Sequence, residues 1–355
     1  MHEGTSRAGG GSDPLCDTPC RTPHTGTRPA CRTMVVMRLP RCVAVLALLA
    51  ALAAPAAPAL ARTADDGAAE VDALLHSRLA NPRLGSHVGM LVVDARTGAV
   101  VSQQGADTPF LPASNMKIVT AVALLASLDA DTVLRTTVRQ GATPADVVLE
   151  GGGDPLLTTR DLQRLARSTA KSLRALPAAT PVTVHVDDDL FARTAKAPGW
   201  TGTYLGSQAA RVEALARVGD YSRTPAANAA RVFLARLRGL GIDARMGPGA
   251  DAGQAPVLAQ TDGHTVGQAV ALMLSRSDNN VAEVLFRQVA VATGTPTDWA
   301  GARSAVERAL QGAGIQTAGQ VIHDGSGLSR TDRLTPRFLV TVLRYARVEH
   351  PARFG

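Results

Sequence analysis

Phe110-Leu111-Pro112-Ala113-Ser114-Asn115-Met116-Lys117 is the stretch on which the reading of this chain turns. It leads into 118–128, where Ala, Leu, Val and Ile leave no charged position, so 114–128 predicts a helix buried on nearly all sides, with Ser114 at its start. Ser114 and Lys117 are three residues apart and therefore project from the same face. A serine hydroxyl is a weak nucleophile at neutral pH and needs a proton acceptor. An ammonium stripped of water can lose its own proton and become that acceptor. The N–H groups at a helix start also point where an oxyanion would develop. The plainer alternative is a capping serine followed by a surface lysine. Against it stand the apolar flanks and the scarcity of lysine: Lys117, Lys171 and Lys196 are the whole complement, beside 34 arginines. A lysine kept in apolar surroundings is costly to bury unless it is paired or put to use.

A second element, Ser277-Asp278-Asn279, stands between two apolar helical stretches. At such a junction the Ser277 hydroxyl and the Asn279 amide can point into one cleft, the first to relay a proton and the second to bind a substrate amide. The alternative is an N-cap for the following helix. The pair of motifs is far more specific than either alone.

Composition bounds the rest. With 355 residues, 45% hydrophobic and 19% charged, the chain can bury a sizeable core, which excludes wholesale disorder. The net charge is +7, but six of the 37 basic and three of the 30 acidic residues fall in the first 61 positions, leaving a dispersed excess that does not argue for nucleic acid. Six Phe, two Trp and three Tyr are too few for a base-stacking platform. All four cysteines precede position 43, so neither a disulfide nor a thiol nucleophile is expected beyond it. The eight histidines include no pair at i, i+4 and no His-Glu-x-x-His, which leaves a metallohydrolase without ligands. No metal and no cofactor is expected.

Arg38-Leu39-Pro40-Arg41, the apolar run 43–57 and Ala59-Leu60-Ala61 have the basic, apolar, small-residue order of a secretory signal, cleaved after Ala61. The run is shorter than the ~20 residues of a membrane span and is broken by Pro55 and Pro58. The protein is expected to be exported to the cell envelope or a periplasm-like space, with a membrane attachment only if this segment stays uncleaved. Residues 1–33 lack periodicity and read as an extension upstream of a start at Met34 or Met37.

Beyond position 61, Leu91 to Val101 predicts a hairpin turning at Arg96-Thr97-Gly98. From 132 to 263 the character changes to short β-like runs (133–138, 147–150, 182–186), with an amphipathic helix at 227–239 and a Gly/Pro-rich loop at 247–253. Three helices follow, at 265–274, 280–293 and 297–312. The expected organisation is a leader over 1–61, a first part over 62–131, an inserted β-rich region over 132–263 and a second part over 264–355.

Taken together, Ser114-x-x-Lys117 and Ser277-Asp278-Asn279 in an exported chain resemble the penicillin-binding proteins and serine β-lactamases. Gly151-Gly-Gly-Asp-Pro155, Val186-Asp-Asp-Asp-Leu-Phe191, Pro198-Gly-Trp200 and Asp324-Gly-Ser-Gly-Leu-Ser-Arg330 make the chain similar to peptidase S13, the class C low-molecular-mass penicillin-binding proteins, over 85–355. The 163 positions between Ser114 and Ser277 agree with the inserted region of that family. The resemblance implies an α+β, β-lactamase/transpeptidase-like fold and a D-alanyl-D-alanine carboxypeptidase or endopeptidase acting on peptidoglycan stem peptides, with β-lactams as covalent inhibitors. It implies Ser114 as the acylated nucleophile, Lys117 as its base, Ser277 as proton shuttle and Asn279 as substrate ligand. Arg330 is expected either to approach the cleft or to sit on a tight turn at the surface.

One departure counts against this. The family's Lys-Thr-Gly, expected after the stretch matching 334–354, does not occur in the sequence, which reads as truncated before it. Losing one oxyanion donor costs about 10² to 10³ in rate, so an impaired enzyme, or a muropeptide or β-lactam binding protein without turnover, is the alternative. A serine β-lactamase fits less well. The nearest match to the Glu-x-x-Leu-Asn of class A enzymes is Glu213-Ala-Leu-Ala, which lacks the Asn, so slow deacylation is expected.

Overall fold

The computed structural model describes residues 64–176, 181–194, 196–349 and 351–354, so the signal-like leader and all four cysteines lie outside the described residues. In chain order it forms α1 (Ala64–Leu79), β1 (Met90–Val93), β2 (Val100–Gln104), α2 (Met116–Ser127), β3 (Val133–Leu134), β4 (Thr137–Gln140), β5 (Asp146–Glu150) and α3 (Thr159–Arg174). There follow β6 (Val182–Asp187), α4 (Pro225–Gly239), β7 (Ala244–Gly249), β8 (Val257–Gln260), β9 (His264–Thr265), α5 (Val266–Arg276) and α6 (Asn279–Ala292). The chain continues through α7 (Trp299–Gly312), α8 (Pro336–Arg344) and α9 (Pro351–Phe354). Among the described residues no helix is long and apolar enough to cross a membrane.

Two hydrophobic clusters organise these elements. The first is helical. Met116, Val119 and Leu124 of α2 are fully buried among Met273 of α5, Leu285, Phe286 and Val289 of α6, Val306 of α7 and Val342 of α8. A helix surrounded in this way needs no polar stripe, which accounts for the uniform composition of 118–128. Beside it β1 and β2 form the expected antiparallel hairpin.

The second cluster belongs to a five-stranded sheet in the order β7-β6-β5-β4-β8. Val138, Val147, Leu149 and Val184 of its strands pack against Leu162 and Leu165 of α3 and Phe233 and Leu237 of α4. The sheet of this β-rich region is mixed. β5, β6 and β7 run parallel, whereas β4 is antiparallel to both its neighbours. Parallel neighbours need a crossover, usually a helix, and α3 and α4 supply the two. α3 is a helix that the sequence expectation does not include, although Thr158 and Asp161 form a capping box at its start and Leu162, Leu165, Ala166, Thr169 and Ala170 follow helical spacing on its buried side. The predicted loop at 247–253 is likewise part strand. β7 extends to Gly249 through Pro248, which is tolerated because β7 is an edge strand.

Candidate active site

A short 3₁₀ turn, Ala113–Asn115, delivers the chain into α2. Ser114 sits on that turn and is exposed, whereas Lys117, one turn inside, is only 1% exposed. The Lys117 Nζ donates to Ser114 Oγ at 3.2 Å, so the i, i+3 geometry is realised. The capping-serine alternative is not what forms: Asn115 is the N-cap, and it makes no side-chain capping bond. Burial holds the Lys117 ammonium below the ordinary lysine range, and the charges of Glu283, Asp324 and Asp278 draw it partway back up.

The second motif closes on the first. Ser277 is the C-cap of α5, with φ 54° and ψ 38°, and its Oγ donates to Ser114 Oγ at 3.0 Å. Asp278 is the N-cap of α6, accepting the Val281 N–H at 3.0 Å, so the capping alternative is met by Asp278 while Ser277 beside it turns toward Ser114. Asn279 opens α6. Its Oδ1 accepts from Lys117 Nζ at 2.8 Å, and its Nδ2 donates to the Gln208 carbonyl at 3.0 Å. Ser277 and Ala113 are the two non-glycine residues with positive φ among the described residues. One touches Ser114 and the other precedes it, so backbone strain is concentrated at this point.

Four of the five expected site residues thus converge. Arg330 does not join their hydrogen bonds; it is exposed, with Nε donating to the Tyr204 hydroxyl at 3.3 Å. Its loop nevertheless builds the site. The Ser326 carbonyl accepts Lys117 Nζ at 3.0 Å and the Gly325 carbonyl accepts Thr120 Oγ1 at 2.8 Å. Asp324, fully buried, accepts from Trp200 Nε1 (2.6 Å), Gly327 N (2.7 Å) and Ser329 N (2.7 Å), which ties the Pro198-Gly-Trp200 run to the Asp324–Arg330 run. Burial and then the Asp324 charge push the Asp332 carboxyl up. Glu283 is a residue sequence reasoning missed; the available signal was an acid one helical turn after Asn279, amid Val281, Ala282, Val284 and Leu285.

Chemically, the cluster combines an accessible hydroxyl, an amine whose charged form is disfavoured by burial, and a second hydroxyl able to pass a proton. Glu213 lies apart from it, accepting the Ala226 N–H at 2.8 Å at the start of α4 and lining a cavity of about 360 Å³ with Asp188 and Arg211. Among the described residues no group of three or more His, Cys, Asp or Glu could hold a metal ion.

Comparison with known proteins gives the family. Residues 71–212 and 203–353 match the D-Ala-D-Ala carboxypeptidase 3 (S13) family. A carboxypeptidase of Mycobacterium tuberculosis is 35% identical over 305 residues, 80% of this chain and 65% of that protein. Carboxypeptidase DacB of Mycolicibacterium smegmatis is 32% identical over 315 residues, 80% of this chain and 68% of that protein. The chain therefore spans about two thirds of the length of these relatives. Penicillin-binding protein 4 (dacB) of Haemophilus influenzae, 19% identical, superposes with a TM-score of 0.65 over 75% of this chain and 76% of that one. The fold is accordingly of that penicillin-binding type, α+β, with the serine at the start of a buried helix.

Proposed function

Because this chain belongs to the D-Ala-D-Ala carboxypeptidase 3 (S13) family, we propose that it hydrolyses D-alanyl bonds of peptidoglycan stem peptides through an ester on Ser114. The observation that carries this is the buried Lys117 Nζ, 3.2 Å from the exposed Ser114 Oγ, which itself accepts from Ser277. Neutral Lys117 takes the proton of Ser114 as Oγ attacks the penultimate D-alanine carbonyl. Ser277 passes a proton to the departing amine nitrogen, D-alanine leaves, and water then hydrolyses the ester. Asn279 serves on two sides, holding Lys117 through Oδ1 and presenting to the peptide the Nδ2 hydrogen that the Gln208 carbonyl does not take. A β-lactam carries a comparable carbonyl and is a covalent inhibitor in this reading. The Haemophilus influenzae relative has a structure in complex with a β-lactam, which supports it.

Slow hydrolysis of the β-lactam ester is part of the proposal, since Glu213 is occupied at α4. The action lies outside the cytoplasm, with the basic, apolar and small-residue order of 38–61 as its support. Residues 132–263 are read as an inserted domain built on the five-stranded sheet. Labelling with a fluorescent penicillin tests the chemistry: a covalent band is expected from the wild type, none from Ser114→Ala, and a rate lowered about 10² to 10⁴-fold in Lys117→Arg, which keeps charge but cannot accept the proton. Labelling that persists in Ser114→Ala would refute the assignment.

A further inference from the structure

Glu283 has no exposed surface, yet both of its carboxylate oxygens are engaged. Oε1 accepts the N–H of Ser326 and Oε2 that of Gly325, each at 2.9 Å. Burial and then the Asp324 charge push the Glu283 carboxyl up to about 8, and the two successive backbone donors aimed at its oxygens work in the opposite direction, favouring the ionised form, whereas an amide would set its own N–H groups against one of them. The dipeptide held in this way turns its two carbonyls toward α2, Gly325 O to Thr120 Oγ1 and Ser326 O to Lys117 Nζ. One turn earlier on α6, Asn279 Oδ1 reaches the same Nζ.

We infer that Glu283 is a positioning residue for Lys117: its carboxylate fixes the Gly325–Ser326 backbone so that the Ser326 carbonyl holds Nζ beside Ser114, and its charge sets how tightly that amine keeps its proton. The inference rests on the reading of Lys117 as the proton acceptor of Ser114. Glu283 is faced by Lys117 from α2, Asp324 and Asp332 from the loop region after α7, and Arg287 from the next turn of α6, which is itself buried and stacked 4.1 Å over Trp299. Asp278 acts on Lys117 from the cap of α6. Removing the Glu283 charge leaves the amine with Asp324 and Asp278 alone and loosens the Ser326 carbonyl. Both changes weaken its hold on the proton.

The scarcity of lysine makes this measurable. With ¹³Cε-lysine incorporated into the whole chain, three resonances are expected; Lys117→Arg identifies the buried one, while Lys171 and Lys196 are exposed internal controls. In Glu283→Gln the Lys117 titration midpoint is expected to fall by at least one pH unit, a tenfold change in proton affinity, with both controls unmoved. The acylation rate should rise with pH at a correspondingly lower pH and level off about tenfold or more below wild type. Glu283→Asp keeps the charge but is one methylene short of both N–H groups, so it should show a smaller fall and recover part of the rate; it also serves if Glu283→Gln does not fold. A residue needed only for packing would lower the melting temperature and leave the midpoint in place. An unmoved Lys117 midpoint in whichever variant folds overturns the inference. A wild type that shows the Lys117 response but forms no penicillin ester would overturn the proposed function instead.

Discussion

Ser277 holds a left-handed backbone, with φ 54°, that an L-residue adopts at a cost of about 1–3 kcal/mol. The return is chemical: in that conformation its hydroxyl reaches Ser114 Oγ at 3.0 Å while the next residue caps α6. Two substitutions separate cost from function. Ser277→Ala should slow acylation about 10² to 10⁴-fold with little change in stability. Ser277→Gly should be equally slow but more stable by about 1 kcal/mol, because glycine carries no penalty at positive φ. Equal melting temperatures for the two variants would show that the strain is not there. Lys117 and Glu283 make the complementary point about burial. Neither side chain is exposed enough to be solvated, and both are satisfied by named partners, so each is costly to remove singly.

At the scale of elements, three segments far apart in sequence bring the site together: the start of α2, the α5–α6 junction and the loop 324–330. The closest approach is at Gly327, which has φ +80° and sits where a Cβ would run into the Ala113 carbonyl and the Met116 side chain. That carbonyl belongs to the residue just before Ser114. Gly327→Ala should therefore cost on the order of 1–3 kcal/mol in stability and abolish penicillin labelling even where the protein stays folded, since relief of the clash moves either the Ser114 turn or the loop that holds Lys117. Measuring melting temperature and labelling side by side checks this. Normal labelling at full stability would mean the approach is looser than described.

Across the whole molecule, the sheet with α3 and α4 is joined to the helical cluster through α6. Gln288 Nε2 donates to the Gly152 and Gly153 carbonyls (2.9 and 3.1 Å), and Val284 packs with Phe191 and Ala214. Asp188, just past β6, accepts the Leu215 N–H at 2.8 Å at this junction, and burial pushes its carboxyl up to about 7. An acid whose folded pKa is raised keeps its proton while the unfolded chain has lost it. Its contribution is present below about pH 4 and is lost as pH rises to about 7, by at most roughly 1.4 kcal/mol per pH unit. Asp188→Asn should flatten the fall in urea stability across that window relative to wild type. Parallel profiles for the two proteins would contradict the assignment. As for legibility, the apolar run after Ser114, the hairpin turn and the three later helices follow from local pattern, and residue type and short spacing single out Ser114 with Lys117 and Ser277 with Asn279, while the roles expected of them are what the resemblance to peptidase S13 implies. The crossover helix α3, the edge strand through Pro248 and the outward placement of Arg330 could not be read that way, since long-range packing decides them. What the sequence by itself determined was which side chains could react, because covalent chemistry and helical spacing are local. Only the tertiary structure decided that Lys117 is dry and that Glu283, through a backbone carbonyl on a loop some forty residues on, holds it against Ser114, because burial and hydrogen-bond closure exist only once distant segments have packed.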